Sequence, residues 1–274
     1  MSAIRATGRS AAVLTVASVI GLLTLMWPLF LDDPTAVGGQ VRPPFVFLLL
    51  LPVVIVVVLA ELSEGGLDPR VLAILGVLSA VNAVLRMLSA GVAGLELVFF
   101  LLVLAGRVYG PAFGFVLGCT SLFTSALVTA GVGPWLPYQM LVAAWVGLGA
   151  GLLPRRLLGR EVTGRAEIAL LAAYGVVAAY VYGLLLNLQG WPLLAGVAVP
   201  GHESGDLAFD PAAPLGENLL RFLRYTLVTS TGGWDTGRAV TTAVAVVVLG
   251  PAVLATLRRA ARRALVSGQV TAGT

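Results

Sequence analysis

Apolar runs alternate with short polar or Gly/Pro-rich breaks along almost the whole chain. A helix needs roughly 20 apolar residues to cross a bilayer. On that rule, the runs near 11–30, 44–60, 71–88, 95–107, 111–130, 137–153, 167–187 and 238–257 read as helical spans. The run at 95–107 is short, so it is expected to tilt or to be partly re-entrant. Connections between 71 and 153 leave room only for antiparallel neighbours, which predicts one compact bundle. The stretch "ELSEGGLDPR", with Gly65, Gly66 and Pro69, sets the first two runs apart. The expected organisation is therefore an N-terminal membrane hairpin (1–64) and a helical core with its tail (65–274). The fold class is an all-α integral membrane protein.

One polar interruption is longer than a turn, 188–237, and loops of that length are usually functional or disordered. Within it, "LGENLLRFLRYTL" carries apolar residues at helical spacing with Arg221 and Arg224 beside them. This predicts an interfacial helix or a helical lid.

Composition sharpens the class. The 274 residues are 58% hydrophobic and 11% charged, with mean hydropathy +0.98; soluble domains carry about 25% charged residues. All 17 basic residues are arginine. Without lysine, neither a phosphate-binding P-loop nor a pyridoxal Schiff base can form within this sequence. Any ATP-driven step falls to a partner. The arginines also orient the spans. Arg5 and Arg9 precede the first run, Arg155, Arg156, Arg160 and Arg165 follow 153, and Arg258, Arg259, Arg262 and Arg263 follow the last. Eight spans bring all three clusters to one side, which the positive-inside rule makes cytoplasmic, with both termini there. The first run is longer than a signal-peptide core and lacks a small-residue cleavage site after it, so it reads as a retained helix in the inner (cytoplasmic) membrane. Cys119 and His202 each stand alone, which leaves no disulfide and no metal cage; no cofactor, metal or nucleic-acid partner is expected.

Candidate chemistry lies near the span ends. "TAGVGPWLPYQM" (129–140) breaks helical pairing with Gly131, Gly133, Pro134 and Pro137, and offers Trp135, Tyr138 and Gln139. Two readings stand: a turn with aromatic anchors at the interface, or the wall of a binding site. Gln139 favours the second, because an amide entering a span needs a partner. "TSTGGWDTGRAV" (229–240) opens the last span, with Asp235 and Arg238 three apart on one helix face and Trp234 available to stack on a ring. Arg86, with Asn82 one turn earlier, has Glu96 across a short loop as a candidate partner, forming a lid pair or a ligand contact. Arg107, close to a span end, is expected to snorkel. Gly76-x-x-x-Ala80 and Gly110-x-x-x-Gly114-x-x-x-Gly118 permit close helix approach, within the bundle or against another membrane protein. HExxH, GxSxG and DDxxD are missing, and the central spans lack the buried carboxylates of an ion-coupled carrier.

Residues 99–156 resemble the substrate-binding S component of energy-coupling factor (ECF) vitamin transporters. The shared features are Gly110-Pro111-Ala112-Phe113-Gly114 after a helix end, a small-residue helix, a Gly/Pro-rich turn, and a closing Gly-x-x-Ala-Gly from Gly147 to Gly151. The resemblance is strongest over 71–155 and extends by topology to 257. It implies a six-helix core at about 71–257, to which the N-terminal hairpin is an addition. It implies a substrate-capture subunit, not an enzyme, working with a transmembrane coupling (T) component and two ABC ATPase subunits. The resemblance places the guest between the outer loops and the outer ends of the last core helices. By position this nominates Trp135, Tyr138, Gln139, Asn187, Gln189, Trp234, Asp235 and Arg238. Gly76 and Ala80 would face the T component, although the family's usual pair is two alanines. Cobalamin is the first-choice guest, with thiamin-like or queuosine-like compounds behind it. The competing class is a membrane scaffold, or an integral enzyme with an unfamiliar site.

Overall fold

The computed structural model describes residues 8–30, 54, 57–58, 69–89, 94–194, 207–210 and 212–271. The run at 44–60 and His202 lie wholly or almost wholly outside them, as do Arg5 and the 61–68 boundary. The described helices are α1 (Gly8–Leu25), α2 (Pro69–Ser89), α3 (Val98–Tyr109), α4 (Pro111–Val128), α5 (Leu136–Leu152), α6 (Gly164–Gly190), α7 (Leu215–Thr226) and α8 (Thr236–Thr271). A π-helical segment, Leu227–Asp235, joins α7 to α8, and short 3-10 turns follow α1 and α6. Two-residue strands at Arg156–Leu157 and Arg160–Glu161 close the turn between α5 and α6. Five helical stretches are long and apolar enough to cross a membrane, and two shorter apolar helices, α3 and α5, lie among them.

The short run anticipated as tilted or re-entrant is α3. Its twelve residues extend only about 18 Å at 1.5 Å per residue, short of a hydrocarbon core of about 30 Å. Every one of them is buried. Protein surrounds α3, so its short length does not have to match the hydrocarbon thickness. Gly110 then reverses the chain in a single residue at φ +102°, a conformation that favours glycine. Pro111 starts α4 where a missing amide hydrogen costs nothing.

Small residues set the centre of the bundle. Gly114 on α4 and Gly147 on α5 meet backbone to backbone, Gly106 on α3 abuts the Gly147 carbonyl, and Gly118 faces Ala144. In this place close approach serves packing within the chain. Gly76 has open space around it, and Ala80 is exposed on the same outward face of α2. The N-terminal helix α1 docks on this bundle. The Trp145 indole donates to Ser18 Oγ at 2.9 Å, and Gly21 makes room for Leu141.

Ion pairs mark both ends. Arg238 binds Glu96 and Asp235 at one end; Arg107 and Arg258 bind Glu167 at the other. From Arg238 to Arg258, α8 rises about 30 Å, the thickness of a bilayer's hydrocarbon core. The arginine clusters at 155–165 and 258–263 fall at the Glu167 end.

Candidate functional site: a cavity at the mouth of the bundle

The end marked by Arg238 holds a cavity of about 340 Å³. Arg86 and Met87 reach it from α2, Gly94, Leu95 and Glu96 from the segment before α3, and Ser125 and Thr129 from the end of α4. Gly131 and Trp135 come from the turn before α5, Trp234 from the π-helical segment and Arg238 from α8.

Local chemistry explains why the chain turns here. Thr129 bonds its own helix through both its amide and its hydroxyl to the Ser125 carbonyl, at 3.0 and 2.8 Å. Ala130 takes φ +52° and Gly131 donates back to Ala126 at 2.9 Å, which ends α4. The Trp135 indole folds over Gly133, where a Cβ would lie 2.5 Å from the ring. Trp135 and Trp234 are each about half exposed, at 52% and 48%. Gly94 (φ +73°) crosses the start of α8 so closely that a Cβ would lie 2.7 Å from the Cα of Gly237. This glycine pair lets Glu96 reach Arg238.

The polar groups are held in two sets. Arg86 donates to the Gln139 amide oxygen at 2.9 Å and to Ser125 Oγ at 3.3 Å, which links α2 to α4 and α5. Arg238 donates through Nε to Glu96 and through Nη1 to Asp235 at 3.0 Å. Its guanidinium lies over the Tyr182 and Phe99 rings, 4.9 and 5.6 Å from their centroids. Asp235 also accepts from Ser230 at 2.8 Å and fills the space left by Gly183 on α6. Arginine suits this site because its planar fork binds carboxylates and stacks on rings at once.

Of the nominated residues, Trp135, Trp234, Arg238, Arg86 and Glu96 line the cavity. Gln139 and Asp235 stand behind the wall and orient its two arginines. Tyr138 is fully buried in the core. Asn187 and Gln189 lie elsewhere. The Gln189 carbonyl accepts from the Trp27 indole at 3.2 Å, beside an apolar cluster of Leu188, Trp191, Phe209 and Phe222. This cluster seats α7, and Asn218 on α7 binds the Asp210 backbone at 2.7 and 3.1 Å. The anticipated Arg86–Glu96 partnership takes another form: Glu96 engages Arg238, while Arg86 engages Gln139 and Ser125. Arg107 does not snorkel. It is 5% exposed, bonded to Glu167 at 2.8 Å and to the carbonyls of Leu153 and Pro154. Ser125 and Thr129 escaped the sequence reading, although two hydroxyls four apart beside a Gly/Pro turn were a usable signal. Met87 and Leu95 carried none.

The cavity thus presents aromatic faces and pre-oriented charges at one end of a helical bundle whose helices are long and apolar enough to cross a membrane. Residues 70–201 match the family model described as ECF transporter, substrate-specific component. That stretch, just under half of the 274 residues, is similar to this family, as the resemblance read from its residues anticipated. Comparison with curated proteins and with solved structures returns no match. The matched stretch is thus similar to substrate-capture subunits. Members of the family are transport subunits that work with a T component and ATPases, not enzymes.

Proposed function

We propose that the cavity at the Arg238 end captures a compact, ring-bearing vitamin or related micronutrient from outside the cell. The observation that carries this reading is the convergence of Trp135, Trp234, Arg86, Glu96 and Arg238, from five separate segments, on one hollow. Ligand pockets generally span about 300–1,000 Å³. A volume of about 340 Å³ stands at the small end of that range, which favours a thiamin-sized guest over a corrinoid such as cobalamin. Two half-exposed indoles offer faces to a ring or a cation. Arg86 and Glu96 offer opposite charges to polar substituents.

The arginine-rich end faces the cytoplasm in this reading, following the positive-inside rule, with both termini there and the chain in the inner membrane. Gly76 and Ala80, on a face of α2 with exposed Leu72, Val77, Val81 and Val84, are the proposed contact with the T component, which two ABC ATPases energise. Close approach at small residues suits such a contact.

The test is thermal unfolding of the purified protein against a vitamin panel that includes thiamin and cobalamin. A guest present at a hundredfold excess over its dissociation constant stabilises by about 2.7 kcal/mol. A panel in which nothing raises the melting temperature and nothing co-purifies defeats the capture reading. Stabilisation by cobalamin but not by smaller vitamins defeats the size argument alone.

A further inference from the structure

We propose that the cavity continues one helical turn deeper, as a hydrated polar subsite between α2 and α4 built on Asn82 and Ser121. The two helices run in the same direction, and two hydrogen bonds fix their register. Ser79 Oγ meets Thr120 Oγ1 at 2.7 Å, and Arg86 donates to Ser125 Oγ at 3.3 Å. Asn82 lies between Ser79 and Arg86 on α2, and Ser121 between Thr120 and Ser125 on α4, so the amide and the hydroxyl both fall between the two hydrogen-bonded levels of the seam. Each residue is 1% exposed. Among the described residues, neither Asn82 Nδ2 and Oδ1 nor Ser121 Oγ has a hydrogen-bond partner. The neighbouring Thr120 shows the ordinary solution for a helical hydroxyl, bonding back to the Val116 carbonyl at 2.9 Å. Ser121 does not take it.

An amide buried without partners costs about 1–3 kcal/mol. A pair of helices held together by adjacent hydrogen bonds gains nothing structural from that cost. Three unpartnered polar atoms in that interval match in number the two to four contacts that a buried water requires. The level above is already cavity wall, since Arg86 and Ser125 both line it. The subsite therefore takes water and the small neutral hydrogen-bonding edge of a solute that presents a donor and an acceptor side by side, as the Asn82 amide does. It rests on the cavity's geometry, whatever vitamin that cavity holds.

A cysteine accessibility experiment in proteoliposomes tests this. Asn82→Cys is exposed to a small, membrane-impermeant cationic methanethiosulfonate, with adducts counted by mass spectrometry. Native Cys119, fully buried, is the dry internal control, and Val84→Cys on the lipid-facing side of α2 is the apolar one. Labelling of Asn82→Cys at least an order of magnitude faster than both is the expected result. Labelling no faster than Cys119 overturns the proposal. A second variant guards against a folding defect. Asn82→Leu removes the amide at similar volume and should unfold at or above the wild-type temperature; a clear drop shows that the amide supports the fold, and also overturns the proposal. Neither readout needs a bound vitamin, so this idea and the capture reading fail separately.

Discussion

Both ends of the bundle carry an arginine bridging helices through a carboxylate, yet the two are built for opposite purposes. At the Glu167 end, Arg107 and Glu167 are each 4% exposed at the side chain, and Arg258 adds a second cation from α8. Two backbone carbonyls, of Leu153 and Pro154, accept from Arg107 Nη1. The knot joins α3, α6, α8 and the end of α5. At the Arg238 end, Glu96 is 20% exposed and its arginine lines a cavity. The backbone around it departs from the α-helix three times: at Gly94, at Ala130 and over the π-helical segment. Insertions of the π type are often found at functional sites. One end spends its charge on closure, the other holds charge ready at a surface. Chemistry alone does not separate them; satisfaction and backbone regularity do.

The comparison can be broken by substitution. The largest effect belongs to Glu167→Ala. Removing one partner leaves Arg107 buried and uncompensated, which costs about 3–5 kcal/mol. Thermal unfolding should drop accordingly, and a change below 1 kcal/mol would show that the closed end is not closed. Next is Gly114→Val, which drives a branched side chain into the Gly147 backbone. Overpacking of this kind costs about 1–3 kcal/mol, read as a lower melting temperature with or without a guest. A smaller effect, different in kind, is expected of Trp234→Ala. Half exposed, it should change stability by no more than about 0.5 kcal/mol, while losing the stabilisation that a bound vitamin confers. Equal loss with and without vitamin would make Trp234 structural. The smallest effect belongs to Glu217→Gln on α7. Its pair with Arg221 is solvent-facing at 2.7 Å, and exposed pairs contribute about 0–1 kcal/mol. Its stability contribution should vanish at high salt, whereas the Glu167 knot should hold.

Much of the architecture was legible because membrane insertion depends on composition over a window. The runs at 71–88, 111–130, 137–153 and 167–187 correspond closely to α2, α4, α5 and α6. Breaks at Gly110-Pro111 and at 131–137 were visible because glycine and proline act locally. Trp135 and Trp234 were found from their places beside span ends. Asn187 and Gln189 were nominated on the same grounds, but neither lines the cavity and the Gln189 carbonyl meets the Trp27 indole instead, since position along a helix end does not say which face turns inward.

Apolar periodicity thus determined, without coordinates, a multi-span helical chain, and the missing lysine excluded a phosphate-binding P-loop within this sequence. Tertiary structure alone decided which carboxylate each arginine meets. Glu96 lies ten residues from Arg86 and 142 from Arg238, and it is the distant arginine that binds it. Only the fold, too, could bury α3 on every side and leave the Asn82 amide without a hydrogen-bond partner among the described residues. Hydropathy and turn chemistry are properties of neighbouring residues, whereas an ion pair or an unsatisfied amide depends on which remote segments packing brings to the same depth.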